Sequence, residues 1–154
     1  GSSFLPSDII AAFLYAQLEM SEKIIEVRRK FLTQYLEGLQ DLEEKGLIRL
    51  PVVQSAGTSN GHIMYVITGS YEERTLLIQY LQDKGVSAVF HYVPLHSSPM
   101  GLKCSRVSGR LDNTERMSER LLRLPLYYEM HKSEVDDVVC AVHDFYARNS
   151  GDCG

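Results

Sequence analysis

Between Ser21 and Lys45 apolar residues recur at Ile24, Val27, Phe31, Tyr35, Leu39 and Leu42, three or four apart, with Glu22, Arg29, Glu37 and Glu43 between them. That spacing is one face of an α-helix, because only a period near 3.6 brings these side chains onto one side. Gly46 follows as its natural stop. At 1.5 Å per residue the segment is about 38 Å long, more than a compact domain of this size needs. It is either a strut between two bodies or a long helix lying across one sheet. In both cases the rest of the chain must be arranged around its apolar face.

A shorter helix precedes it. Ser7 is the expected N-cap, with Pro6 before it and Asp8 favourably placed in the positive first turn. From Ile9 to Leu18 almost no polar face remains, and a helix apolar all round must be covered on all sides. The stretch has only about half of the ~20 residues that cross a bilayer, so it reads as a buried helix. In a chain of 154 residues the other elements can supply that cover only in part, so another domain or a second subunit is expected to complete it. The opening Gly1-Ser2-Ser3-Phe4 has no methionine, basic region or signal-type cleavage pattern, so the chain is expected to be either processed or cut from something longer.

After Gly46 strand and helix signals alternate. Leu47 to Leu50 reads as a short strand closed by Pro51, Gln54 to Gly61 as a polar loop, and Ile63 to Thr68 as a second strand. A helix then opens on a capping box, Ser70 with Glu73, and turns Leu76, Leu77, Tyr80 and Leu81 inward before Gly85. Ser97 to Leu111 is long enough to be a mobile lid or a binding loop. Asp112 and Glu115 open a short helix to Arg123, and Leu124 to Tyr127 follows as a strand. Ser133 and Asp136 cap a last helix with Val135, Val138, Val139, Val142, Phe145 and Tyr146 on its apolar face; Arg148 to Gly154 reads as a frayed tail. The expected architecture is an α/β two-layer sandwich, with three or four strands and helices packed on one face.

The chemistry concentrates in Ala88-Val-Phe-His-Tyr-Val-Pro-Leu-His96, a strand-forming run that ends in two histidines and a tyrosine around a proline. It is either the edge of a site or the end of a core strand on which His91 and Tyr92 simply pack. No nucleophile elbow, Walker loop or dinucleotide-binding fingerprint is present. His91, His96 and Cys104 do not have the spacing of a metal site. His62 before its strand reads as a hydrogen-bonded histidine, and His131 and His143 as surface or cap residues. Three cysteines, Cys104, Cys140 and Cys153, suggest neither a disulfide framework nor a zinc ribbon and fit a reducing, cytoplasmic setting. A net charge of −4 argues against a nucleic-acid surface.

Four segments in order carry a resemblance: the opening Gly1 to Glu19, Asn60-Gly-His-Ile-Met-Tyr65, Phe90-His-Tyr-Val-Pro-Leu-His96 and Ser118-Glu-Arg-Leu-Leu-Arg-Leu-Pro-Leu126. On these the chain resembles the DegT family of pyridoxal 5'-phosphate (PLP)-dependent sugar aminotransferases, from Gly1 to about Ala147. The resemblance implies a fold type I transferase and, here, its C-terminal small domain (46–147), preceded by the helical segment 1–45 that joins the large domain and followed by a flexible tail (148–154). It implies amino transfer from glutamate to the keto carbon of a nucleotide-linked 4-keto-6-deoxy sugar, in a homodimer with sites at the subunit interface. Family members carry the cofactor-anchoring lysine and the acid that pairs the pyridine nitrogen upstream of the opening glycine. None of the six lysines here stands in a matching context, so no catalytic residue is expected in this chain. Many members have Asn two places after that glycine, reaching the cofactor phosphate of the neighbouring subunit, and a basic residue two further on. Ser3 and Leu5 stand there instead; the serine hydroxyl still donates to a phosphate, while Leu5 replaces no charge. By the same resemblance His91, Tyr92 and His96 line the sugar-nucleotide entrance, with His62 supporting the wall. The alternative is a stand-alone, non-catalytic binding or assembly module.

Overall fold

The computed structural model describes residues 5–53 and 59–149. The expectation for Ser3, most of the loop expected at Gln54 to Gly61, and the tail beyond Asn149 lie outside the described residues.

Helix α1 (Asp8–Glu19) starts as its sequence dictates, the Ser7 hydroxyl accepting the Ile10 N–H at 3.4 Å. Met20 both ends α1 and begins α2 (Ser21–Glu44), so the two are separate helices meeting at one residue. Lys45 closes α2, and Gly46 turns the chain away at φ 72°, in the left-handed region that costs glycine least. Only the C-terminal half of α2 is buried, through Leu32, Tyr35, Leu39 and Leu42; this half packs on α6 (Lys132–Asn149). From Ser21 to Phe31 no residue is fully buried. The reading of a long helix lying across one packed body therefore holds for its C-terminal half, while its first half extends from that body.

Among the described residues three strands make the sheet, β1 (Met64–Ile67), β2 (Val89–Phe90) and β3 (Leu121–Leu124), in the order β1-β3-β2 with β3 antiparallel to both neighbours. The register pairs Met64 with Leu124 and Val66 with Leu122. Because side chains alternate across a strand, these four buried residues share one face. That face joins the core of α2, α3 (Tyr71–Asp83) and α6, which includes Leu77, Leu81, Val135, Val142 and Phe145. The molecule is thus α/β, as expected, and its small sheet is antiparallel.

Several boundaries differ from the sequence reading, each for a local reason. Leu47 to Leu50 contributes only the bridge between Arg49 and Ile67. The Leu50 N–H donates instead to the Glu43 carboxylate at 2.7 Å, and Pro51 has no N–H to offer. The helix expected to reach Arg123 is α5 (Asp112–Arg120), and the strand after it is Leu121–Leu124 rather than Leu124–Tyr127. Pairing on both sides draws 121–124 into the sheet, and Pro125 ends it. No side chain caps α5, so the Asp112 and Glu115 box does not form as read. In α6 the cap is Glu134, whose carboxylate accepts the His131 N–H at 2.6 Å, and not Ser133 with Asp136. The helix continues to Asn149, where Arg148 lies 5.5 Å over the Tyr80 ring, so the tail does not begin at Arg148. In α3 the Ser70 hydroxyl accepts the Glu73 N–H as read, but the Glu73 carboxylate takes the Gly69 N–H. Leu76 points outward and Arg74 takes the buried place.

Candidate functional site

The strand expected through Ala88 to His96 is only two residues long. Val89 and Phe90 pair with Arg123 and Leu122, and both are exposed on the edge of the sheet. Beyond them Pro94 precedes a single 3₁₀ turn, Leu95–Ser97. The first part of the segment expected as a lid or loop then forms a six-residue helix, α4 (Pro99–Cys104), whose N-cap Ser98 accepts the Gly101 N–H at 3.0 Å, and the rest is loop as read. The turn sits so tightly on α4 that a Cβ on Gly101 would lie 1.6 Å from the Leu95 carbonyl oxygen. Only glycine admits that approach.

This turn, α3 and α5 enclose an open cleft of about 560 Å³. Its walls carry Tyr71, Arg74 and Ile78 from α3, Phe90 to Pro94 from the edge strand and its extension, and Glu115, Ser118 and Glu119 from α5. A larger open groove of about 820 Å³ runs along α2, lined by residues such as Glu22, Glu26, Arg29, Lys30 and Glu37. Charges of both signs line that groove, whereas the smaller cleft brings the Tyr71, Phe90 and Tyr92 rings together with the buried nitrogens of Arg74 and His91.

Arg74 is the residue that sequence reasoning missed. It is 8% exposed. Its guanidinium lies 4.8 Å from the Tyr71 ring centre and 5.6 Å from that of Phe90, and its Nη1 donates to the Ser118 carbonyl at 3.3 Å. Its Nε is buried with no hydrogen-bond partner. A signal existed, since Arg74 stands three before Leu77 and seven before Leu81, inside the apolar stripe of its helix.

Of the four residues expected to bind substrate, His91 and Tyr92 line the cleft and pack edge to face with centroids 5.2 Å apart. His91 Nδ1 is buried and lacks a partner; Tyr92 is largely exposed. His96 meets Glu115 at 3.2 Å, tying the 3₁₀ turn to α5. His62 is not brought to this wall. It precedes β1, at the opposite edge of the sheet from β2. Its Nδ1 lies 2.7 Å from the Asn60 side-chain oxygen, and it lines a separate cavity with Leu32, Pro51 and Tyr65.

The serine hydroxyls of the cleft are held by backbone carbonyls. The Ser97 and Ser118 hydroxyls donate to the carbonyls of Pro94 and Glu115, so neither is aligned with a base. No group of three or more His, Cys, Asp or Glu among the described residues is placed to hold a metal ion. Cys104 Sγ lies 3.4 Å from Met100 Sδ. All six lysines are exposed, Lys30 paired with Glu26 and Lys45 with Asp41. A covalent PLP anchor needs a lysine desolvated beside the ring, and none lines the cleft. The cleft, as the described residues line it, does not supply that anchor.

The DegT/DnrJ/EryC1/StrS aminotransferase family pattern matches residues 1–143. The chain is 28% identical over 139 residues to dTDP-3-amino-3,4,6-trideoxy-alpha-D-glucose transaminase of Micromonospora megalomicea subsp. nigra, covering 89% of itself and 36% of that protein. It is 28% identical over 138 residues to dTDP-4-dehydro-2,3,6-trideoxy-D-glucose 4-aminotransferase of Saccharopolyspora spinosa, covering 90% and 34%. Its structure is similar to that of the aminotransferase TlmJ of Streptoalloteichus hindustanus, with TM-score 0.77 and 28% identity over 88% of this chain and 35% of that one. It also resembles the PLP form of Spr1654 of Streptococcus pneumoniae, with TM-score 0.77 and 22% identity over 92% and 36%, a likeness of fold. The chain thus spans about a third of the length of the relatives it matches.

Proposed function

Because this chain belongs to the DegT/DnrJ/EryC1/StrS aminotransferase family, we propose that it is the C-terminal part of a PLP-dependent nucleotide-sugar aminotransferase. The observation that carries the reading is the family match over residues 1–143, together with relatives that are dTDP-sugar transaminases about three times as long. In this reading 46–147 is the small domain and 1–45 joins it to the large one, which supplies the cofactor-anchoring lysine. The whole enzyme moves an amino group from glutamate to a dTDP-4-keto-6-deoxyhexose. By the resemblance of its opening segment, including Ser3 and Leu5, it is similar to the dTDP-4-amino-4,6-dideoxygalactose transaminase of enterobacterial common antigen synthesis. It works in the cytoplasm as a homodimer, with Ser3 reaching the cofactor phosphate of the neighbouring subunit.

This chain contributes recognition. His91 and Tyr92 offer a ring nitrogen and a hydroxyl to sugar or phosphate oxygens, and His96 holds the turn that carries them against α5. His62 keeps a binding role only if the large domain brings substrate to its edge of the sheet.

The test is to supply the chain with an N-terminal portion of a family member that carries the lysine and to measure 2-oxoglutarate formed from glutamate and a panel of dTDP-keto-sugars. Amino transfer to a 4-keto-6-deoxy sugar is expected, and none to any keto-sugar would remove the proposal. PLP added to the chain alone and reduced with borohydride should label no lysine stoichiometrically. Selective labelling of one lysine would place the anchor inside this chain instead.

A further inference from the structure

Arg74 Nε and His91 Nδ1 are buried hydrogen-bonding nitrogens without partners, and both residues line one cleft. Proteins seldom leave such atoms unpaired, and each one calls for an explanation. Tyr80 Oη and Arg28 Nε share the condition, but neither residue lines this cleft.

A purely structural role accounts for part of what Arg74 does. Stacking on Tyr71 and Phe90 uses the faces of its guanidinium, and Ser118 takes one N–H. The group carries five donors in a rigid fork, so most of its hydrogen-bonding capacity remains unused. A positive group held nine-tenths out of water attracts an anion more strongly than an exposed one does. The two carboxylates of the cleft do not cancel it: Glu115 is engaged by His96, and Glu119 is exposed on the rim.

We propose that Arg74 and His91 form an oxyanion-binding pair in the cleft, taking the phosphate or carboxylate of a small-molecule ligand through Arg74 Nε and the remaining guanidinium donors and through His91 Nδ1. The inference rests on the reading of this cleft as a substrate site. Two sources present the same chemistry, the diphosphate of a nucleotide sugar and the carboxylates of the amino donor.

The experiment titrates the chain calorimetrically with inorganic pyrophosphate and, separately, with glutamate. Saturable binding of one of them is expected, and which one identifies the source. Arg74→Lys keeps the charge but loses the fork, and should weaken that binding about tenfold or more. Glu119→Gln leaves Arg74 in place and, by removing a like-signed neighbour of the anion, should tighten binding about twofold. Absence of saturation by either probe up to about 10 mM overturns the proposal. So does an Arg74→Lys chain that melts earlier yet binds as the wild type, which marks a structural arginine. Should Arg74→Lys unfold, an unchanged affinity in Glu119→Gln decides against the pair. Competition with a dTDP-sugar separates the two readings. Pyrophosphate held through Arg74 and not displaced by the nucleotide sugar would leave the oxyanion pair standing and remove the nucleotide-sugar reading.

Discussion

Tyr35 has no exposed surface, and its hydroxyl donates to the Pro125 carbonyl at 2.9 Å, joining α2 to the end of β3. Burial raises its phenol well above the usual range, so it stays a neutral donor throughout ordinary pH. Tyr35→Phe keeps the ring and leaves that carbonyl without its donor. A loss of about 1 to 2 kcal/mol is expected, read as a lower urea midpoint with an unchanged slope. Glu134 answers to pH. The His131 N–H, and secondly the Tyr127 hydroxyl, hold its carboxyl below the ordinary value of 4.5. A depressed carboxyl contributes stability above its unfolded pKa and loses it as pH falls through the lower folded one. On lowering pH from about 6 to about 3, the melting temperature of wild type should therefore fall further than that of Glu134→Gln. Equal falls would show that the cap carries no charge-dependent stability.

At the scale of elements, α1 stands apart. None of its residues is buried, and Ile9 and Phe13 are 73% and 72% exposed. With Leu14, Tyr15 and Leu18 also exposed, the helix presents an apolar surface that soluble chains rarely leave open. The chain by itself should associate through it, and Phe13→Glu with Leu14→Glu should shift sedimentation toward the monomer and reduce binding of a hydrophobic dye. A monomeric wild-type chain at high concentration without dye binding would refute this. The apolar periods of α2, α3 and α6 were readable in order, since each helix writes its buried stripe at its own spacing. The strands were less readable. A two-residue edge strand such as β2 has no period of its own, and its length is set by where β3 stops pairing with it.

Across the whole molecule, stability should grade from α1 toward the core shared by the sheet, α3, α6 and the C-terminal half of α2. Amide exchange followed by mass spectrometry is expected to be fast in α1, slower in the first half of α2, and slowest in β1, β3 and α6 around Val66, Leu122 and Val142. Uniform protection along the chain would mean that α1 is covered by a neighbouring copy. The same gradient separates the two halves of α2: one belongs to the packed body, and the other extends from it.

By itself the sequence determined the helices other than α4, the caps at Ser7 and Ser70, the stop at Gly46, and the family through four motifs in order. These are local properties, carried by backbone preference and side-chain period within a few residues. Only the tertiary structure decided that β3 lies between β1 and β2, that His62 stands at the far edge from His91, and that Arg74 rather than a histidine forms the buried charge of the cleft. Each of those depends on which distant segment fills the space beside a residue, and spacing along the chain does not encode that. Packing sets it, by excluding water and supplying or withholding a hydrogen-bond partner.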